Sequence, residues 1–150
     1  MGNTYLSLGS NLGNREENLK TALALLEERA GHVRRCSSFY YSKPWGFCSD
    51  NDFVNCCVLV ETSLQPLRLL EVTQQIERDM GRTAKTSTAD PSAPRYSDRV
   101  IDIDILLYDD LSLNLPELQI PHPLMGQRDF VMVPLREILT EKNESDGVEK

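Results

Sequence analysis

Asp102 and Asp104, separated by one residue in Arg99-Val100-Ile101-Asp102-Ile103-Asp104-Ile105-Leu106, are the side chains of this 150-residue chain best spaced to do chemistry. Apolar residues alternate with them at the period of a β-strand, which turns the isoleucines to one face and both carboxylates to the other. At a rise of roughly 3.3 Å per residue their Cβ atoms stand about 6–7 Å apart, near enough for bare anions to repel. A divalent cation removes that repulsion. Mg²⁺ suits the pair, because it takes one or two protein oxygens and completes its shell with water and phosphate. Arg99, just before the strand, offers a planar donor fork to a phosphate. A strand with one wet face, kept soluble by two aspartates, explains the same pattern.

The neighbouring segments favour a phosphate-bearing ligand. The chain carries a net charge of -7, yet Arg82, Lys85, Arg95, Arg99, His122 and Arg128 cluster around the Asp-x-Asp strand. An acidic protein with a local basic cluster fits a small polyanion better than nucleic acid or an anionic membrane. Residues 82–98 are polar, contain Pro91 and Pro94, and show no periodicity. Such a loop, bearing Arg82, Lys85 and Arg95 beside a metal site, is the expected form of a lid over phosphates. In Pro121-His122-Pro123 the prolines forbid regular structure and hold a histidine where it could donate to an anion or merely cap the surface. The turn Gly9-Ser10-Asn11-Leu12-Gly13 lacks the spacing of either common nucleotide-binding glycine motif, and reads as a tight strand-to-helix turn open to close approach.

These groups need elements to position them. Thr4 to Gly9 alternates as a first strand; Asn14 then caps a helix with Glu17 three residues on, an apolar stripe at Leu19, Ala22, Leu23 and Leu26, and Gly31 as its end. Val33 to Tyr41 and Phe53 to Glu61 read as the second and third strands, joined by a long loop that holds the only tryptophan, Trp45. Pro66 opens a second helix with Leu69, Leu70, Thr73, Ile76 and Met80 inward, Gln74 and Glu77 sharing a face, and Gly81 as terminator. The Asp-x-Asp strand is fourth. Beyond it, Leu111 to Leu115 reads as a short edge strand, Val133 to Leu139 as a closing helix, and 141–150 as a disordered polar tail behind a domain spanning 1–140. The order β-α-β-β-α-β, with right-handed crossovers, predicts a ferredoxin-like α+β sandwich: a mostly antiparallel sheet with both helices on one face and the fourth strand beside the first.

Composition sets the remaining bounds. Hydrophobic content of 40% and charged content of 26% are those of an ordinary globular domain, and 150 residues suffice for one core. No apolar run reaches the ~20 residues of a membrane span. The start Met1-Gly2-Asn3-Thr4 lacks the features of a signal peptide, so a cytoplasmic protein is expected. Cys56 and Cys57 are adjacent in an apolar strand and point to opposite faces, which argues against a disulfide framework.

Four separated segments carry a resemblance: Leu8-Gly9-Ser10-Asn11-Leu12-Gly13, Arg99 to Leu106, Pro121-His122-Pro123, and Arg128-Asp129-Phe130-Val131 with Pro134-Leu135. Together they resemble the 6-hydroxymethyl-7,8-dihydropterin pyrophosphokinases of folate biosynthesis, over about residues 4–139. The resemblance implies transfer of the terminal pyrophosphate of ATP to the pterin hydroxymethyl group, with release of AMP. It implies two Mg²⁺ ions on Asp102 and Asp104, phosphate contacts from Arg82 and Arg99, and an ATP site bordered by Gln74, Glu77, Ile105, His122 and Arg128. The pterin is implied to stack between Phe53 and Phe130, with Asn55, Tyr96 and the Ser42-Lys43-Pro44-Trp45-Gly46 loop around its edge. A monomer acting on small molecules, with no nucleic acid or membrane partner, is the matching expectation. The chain departs from the family's usual pattern at Ser97-Asp98, Lys43, Trp45, Leu124 and Gly126, and in a longer loop over 83–98. A noncatalytic ligand-binding module and a Mg²⁺-dependent nucleotidyltransferase are the alternatives from other classes.

Overall fold

Strand β1 (Gly2–Ser10) is the centre of the sheet, because it is hydrogen-bonded along both edges. It pairs antiparallel with β4 (Phe53–Thr62) from Gly2↔Thr62 to Ser10↔Val54, and with β5 (Asp102–Tyr108) from Thr4↔Tyr108 to Gly9↔Asp102. The computed structural model describes the backbone of residues 2–42, 53–81 and 100–149, and side chains up to 139. Strands β2 (His32–Cys36) and β3 (Tyr40–Ser42) both pair with β4, giving the order β2-β4-β1-β5 with β3 beside β4. Helices α1 (Arg15–Arg29) and α2 (Pro66–Asp79) pack on one face, and α3 (Asp129–Glu149) on the other. This is the ferredoxin-like sandwich that the order of elements predicts, with every pairing in the main sheet antiparallel among the described residues.

Local chemistry explains the helix ends. Asn14 caps α1 by accepting a hydrogen bond from the Glu17 amide at 3.1 Å, and Glu16 and Glu17 complement the positive helix end. At the other end the Thr62 hydroxyl donates to the Ala30 carbonyl at 2.6 Å and accepts from the Leu64 amide at 3.0 Å. The chain must cross very close to β4 there: a Cβ on Gly31 would lie 2.2 Å from the Glu61 carbonyl oxygen, so only glycine fits. Pro66 begins α2 as predicted, and Arg29 ties α1 to α2 through Asp79 at 2.6 Å.

The sheet divides two cores. Leu6, Leu8, Val54, Cys56, Val58, Ile103 and Ile105 face α1 and α2, where Leu19, Leu26, Leu69 and Ile76 are fully buried. Tyr5, Cys57, Leu59 and Leu106 face Val131, Leu135 and Ile138 of α3. Each fully buried Leu or Ile contributes about 1.5–3 kcal/mol of transfer free energy, which fixes the sheet register and with it the facing of the carboxylates. Strict alternation ends at Ile105. Leu6 pairs with Ile105 but Tyr5 with Leu107, so Leu106 is an extra residue that bulges toward α3.

Three sequence expectations need correction. The strand predicted over Val33 to Tyr41 is two strands, because Ser37 leaves the ladder: its hydroxyl accepts from the Cys57 amide at 2.9 Å and donates to the Ser38 carbonyl at 2.9 Å. Ser38 then turns to Glu137 of α3, which accepts from its amide at 2.9 Å. The edge strand expected over Leu111 to Leu115 is only Leu113–Asn114 (β6), paired with Gln119–Ile120 (β7) in a separate small sheet. The closing helix begins at Asp129, four residues before the predicted Val133, and its backbone runs to Glu149. Pro134 marks the interior of the helix rather than its first turn.

Candidate active site

The edge strand β5 carries the aspartates, and its outer side is fixed by two hydrogen bonds from other elements. Glu77 of α2 is buried and accepts from the amide of Ile103 at 2.7 Å, between the two aspartates. The Leu106 carbonyl accepts from the His122 amide at 3.0 Å, anchoring the proline-flanked segment along the same edge. Asp102 and Asp104 are half-buried and share the face opposite Ile103 and Ile105, as the alternation predicts.

That face forms a narrow slot, lined by Ser7 and Gly9 of β1, Phe53 and Asn55 of β4, Asp102 and Asp104 of β5, and Arg128 and Phe130. Gly9 keeps it open, since a Cβ there would lie 2.5 Å from the Asn55 amide nitrogen and 3.6 Å from the Phe53 ring. Asn55 is buried, donates weakly to the Leu8 carbonyl at 3.4 Å, and leaves Oδ1 with no hydrogen-bond partner among the described residues. An orphaned buried acceptor costs about 1–3 kcal/mol, so the slot is suited to a ligand with an N–H edge. Phe53 and Phe130, both half-buried, offer aromatic walls for a flat ring.

A second, larger and more open cleft lies on the other side of the carboxylates. Leu70, Gln74 and Glu77 of α2, Ile103 and Ile105 of β5, Pro116 to Gln119, and His122 to Leu124 line it. Asp102, Asp104 and Arg128 line both cavities and so form their shared wall. The Arg128 side chain is only 2% exposed, with Nη1 3.9 Å from Asp104 Oδ2 and its guanidinium 5.7 Å from the Phe130 ring centroid. Burial lowers the Arg128 pKa, but an arginine starts so high that it stays charged.

His122 has a defined proton arrangement. Its Nδ1 accepts from the Leu124 amide at 3.2 Å, which leaves Nε2 to carry the hydrogen of the neutral ring. Loss of hydration lowers its pKa, and the Asp102 charge opposes that only in part. The ring is therefore a neutral N–H donor on the wall of the larger cleft.

The aspartates fit Mg²⁺ by donor type and number. Two carboxylates face one way beside an open cleft, and among the described residues no group of three or more His, Cys, Asp or Glu forms a protein-only metal cage. Such a pair suits an ion that takes its remaining oxygens from water and phosphate.

Among the expected site residues, the structure gathers Asp102, Asp104, Arg128, Phe53, Asn55 and Phe130 at the slot, and Gln74, Glu77, Ile105 and His122 at the cleft. Ser42, paired with Phe53 at the end of β3, does not line either cavity. Lys43, Pro44, Trp45, Gly46, Arg82, Tyr96 and Arg99 lie outside the described residues, as does the proposed lid. Sequence reasoning missed Ser7, although its alternation with Gly9 was available as a signal. It also missed Pro116 to Gln119, which carry no motif and reach the cleft only through the β6–β7 turn.

Comparisons with known proteins identify the family of the chain. The sequence model of the 7,8-dihydro-6-hydroxymethylpterin-pyrophosphokinase family matches residues 5–140. The chain is 46% identical over 139 residues to the 2-amino-4-hydroxy-6-hydroxymethyldihydropteridine pyrophosphokinase of Porphyromonas gingivalis, covering 92% of this chain and 91% of that one. It is 42% identical over 135 residues to the Bacillus subtilis protein of the same name, covering 89% of this chain and 76% of that one. Among solved structures, wild-type HPPK-DHPS of Plasmodium falciparum with pteroate superposes with a TM-score of 0.70 at 18% identity, over 91% of this chain and 40% of that chain, and shares its fold.

Proposed function

This chain belongs to the 7,8-dihydro-6-hydroxymethylpterin-pyrophosphokinase family, and from that premise we propose how its residues perform the transfer. ATP is the co-substrate, and its pyrophosphoryl group passes to the hydroxymethyl oxygen of 6-hydroxymethyl-7,8-dihydropterin, with AMP as the other product of folate biosynthesis at this step. The observation that carries the assignment of roles is the shared wall. Asp102, Asp104 and Arg128 stand between an aromatic slot and an open cleft, so a flat acceptor and a polyphosphate donor would meet across them.

The pterin stacks between Phe53 and Phe130, and its N–H edge satisfies Asn55 Oδ1. ATP occupies the larger cleft, its base near Leu70, Gln74 and Ile105 and its phosphates toward His122 and Arg128. The His122 Nε2–H donates to a phosphate oxygen, and Arg82 and Arg99, carried over from the family pattern, add planar donor forks. Asp102 and Asp104 would hold Mg²⁺, two ions by the family resemblance, and the metal would supply charge neutralisation for the triphosphate. The hydroxymethyl oxygen then attacks the β-phosphorus as the bond to AMP breaks. Asp102, which lines both cavities, orients that hydroxyl. No covalent nucleophile is required, since this chemistry asks chiefly for alignment and charge neutralisation.

We assign the working form as a cytoplasmic monomer. Among the described residues no helix is long and apolar enough to cross a membrane. The test of the roles is AMP formation from ATP and the pterin with Mg²⁺ present. Asp102→Asn and Asp104→Asn should each lower turnover by about 10²–10³-fold, the loss of several kcal/mol of charge stabilisation, while circular dichroism is unchanged. Wild-type turnover in either variant would remove the carboxylate pair from the mechanism.

A further inference from the structure

Helix α3 carries Phe130 in its first turn, and its seat on the sheet is an apolar stripe: Val131, Leu135 and Ile138 bury against Tyr5, Cys57, Leu59 and Leu106. Such a stripe is nondirectional, so by itself it fixes the contact and leaves small rolls of the helix about its axis nearly free. The roll matters to the slot. A ring carried about 5–6 Å from the axis moves by about 1 Å for each ~10° of roll, enough to spoil a gap made for a flat ligand.

Glu137 removes that freedom. It stands seven residues after Phe130, about two turns along and within about 20° of the same direction around the helix. Its Oε2 accepts from the Ser38 amide at 2.9 Å and from the Ser38 hydroxyl at 3.1 Å, so the helix flank is held by directional bonds. The post it grips is firm. Ser37 is buried and locked to β4: its amide donates to the Cys57 carbonyl at 2.9 Å, and its hydroxyl accepts from the Cys57 amide at 2.9 Å. Strand β4 carries Phe53 and Asn55, and just beyond Ser38 the residues Tyr40 and Ser42 pair with Asn55 and Phe53 in turn. A continuous path from Phe130 through Glu137, Ser38, Ser37 and Cys57 to Phe53 thus joins the two aromatic walls.

Glu137 lines neither cavity, so it acts on a ligand only through the residues it holds. We propose that Glu137 is a positioning residue for the acceptor substrate: its clamp on Ser38 sets the roll of α3 and with it the gap between Phe130 and Phe53. A carboxylate suits the task, because one oxygen accepts from two donors and its charge strengthens both bonds. Ser38 is exposed and Glu137 half-buried, so the clamp adds little to global stability and its loss shows in orientation instead. The effect on ligand binding rests on the pterin reading of the slot, whereas the clamp itself does not.

The experiment compares the full chain with Glu137→Ala, Glu137→Gln and Ser38→Ala by fluorescence titration with 6-hydroxymethyl-7,8-dihydropterin and, separately, with ATP and Mg²⁺. Glu137→Ala should raise the pterin dissociation constant roughly five- to tenfold, part of what the Phe130 ring supplies, with ATP affinity and Tm little changed. Glu137→Gln keeps an oxygen acceptor and should return to within about twofold of the wild type, and Ser38→Ala, which keeps only the amide donor, should fall between. Unaltered pterin affinity in Glu137→Ala, in a protein whose affinity does fall on Phe130→Ala, would overturn the positioning role, as would equal falls in pterin and ATP affinity. If Phe130→Ala itself left pterin affinity intact, the pterin reading of the slot would fail, and amide hydrogen exchange would decide the clamp. Faster exchange over residues 38–40 and 129–132 in Glu137→Ala upholds it, and exchange equal to the wild type overturns it.

Discussion

Replacing Glu77 tests whether the aspartates depend on a strand edge held from α2. The carboxylate is buried and accepts from the Ile103 amide at 2.7 Å, so Glu77→Ala removes a charge-assisted bond and leaves that N–H without its acceptor. Bonds to charged groups contribute about 1.5–3 kcal/mol, and relief of repulsion from the nearby aspartates offsets part of this. A net loss of about 2 kcal/mol is expected. For a domain of this size that lowers Tm by about 4–8 °C. With the backbone between the aspartates released, misplacement approaching 1 Å lowers kcat by about 10–100-fold. Glu77→Gln retains an acceptor of roughly half the strength and should recover much of both losses. Differential scanning fluorimetry and steady-state AMP formation read the two effects. If Glu77→Ala raised only the KM for ATP, with Tm and kcat intact, the residue would serve the nucleotide alone and the edge-holding argument would fail.

Two further predictions follow from the slot and the cleft. Phe130→Ala should weaken pterin binding by about 1–3 kcal/mol in a fluorescence titration, with ATP affinity little changed, because only the aromatic wall is lost. His122 should make the ligand-free protein less stable in mild acid. Its folded pKa lies below that of the free side chain, so as pH falls through about 6.5 the unfolded chain takes up the proton first, and stability declines toward the folded value. His122→Asn, which preserves an acceptor for the Leu124 amide, should show a smaller loss of urea stability between pH 7.5 and 5.5 than the wild type; equal losses would contradict the half-buried neutral imidazole.

What the sequence made legible was whatever short-range pattern determines. The Asn14 cap, the Pro66 helix start and the facing of Asp102 and Asp104 all follow from spacing within a few residues, and each appears in the structure. Features set by distant partners were not legible. The interruption at Ser37 needs Cys57 across the ladder, and the bulge at Leu106 needs the register of β1. The hold of Glu77 on β5 was not legible either, because its partner is an amide 26 positions away, on another element. The early start of α3 mattered most for the site. Residues 129–132 carry no periodic signal of their own, yet the Val131 and Met132 amides close on the Arg128 carbonyl, at 3.0 and 2.9 Å, and set Phe130 in the first turn beside the slot. The family resemblance supplied the pairing of Phe53 with Phe130, which no local pattern relates.

The central claim is that a pterin and a polyphosphate meet across the Asp102–Asp104 wall and that an intact pyrophosphoryl group changes hands. Phosphorus-31 NMR of the wild-type protein with ATP, Mg²⁺ and 6-hydroxymethyl-7,8-dihydropterin tests it most directly. The account predicts AMP and a pterin diphosphate ester in equal amounts, with no free pyrophosphate. Free pyrophosphate accompanied by an adenylylated pterin would identify nucleotidyl transfer instead, and a folded protein that binds both ligands without turnover would reduce the site to a binding module.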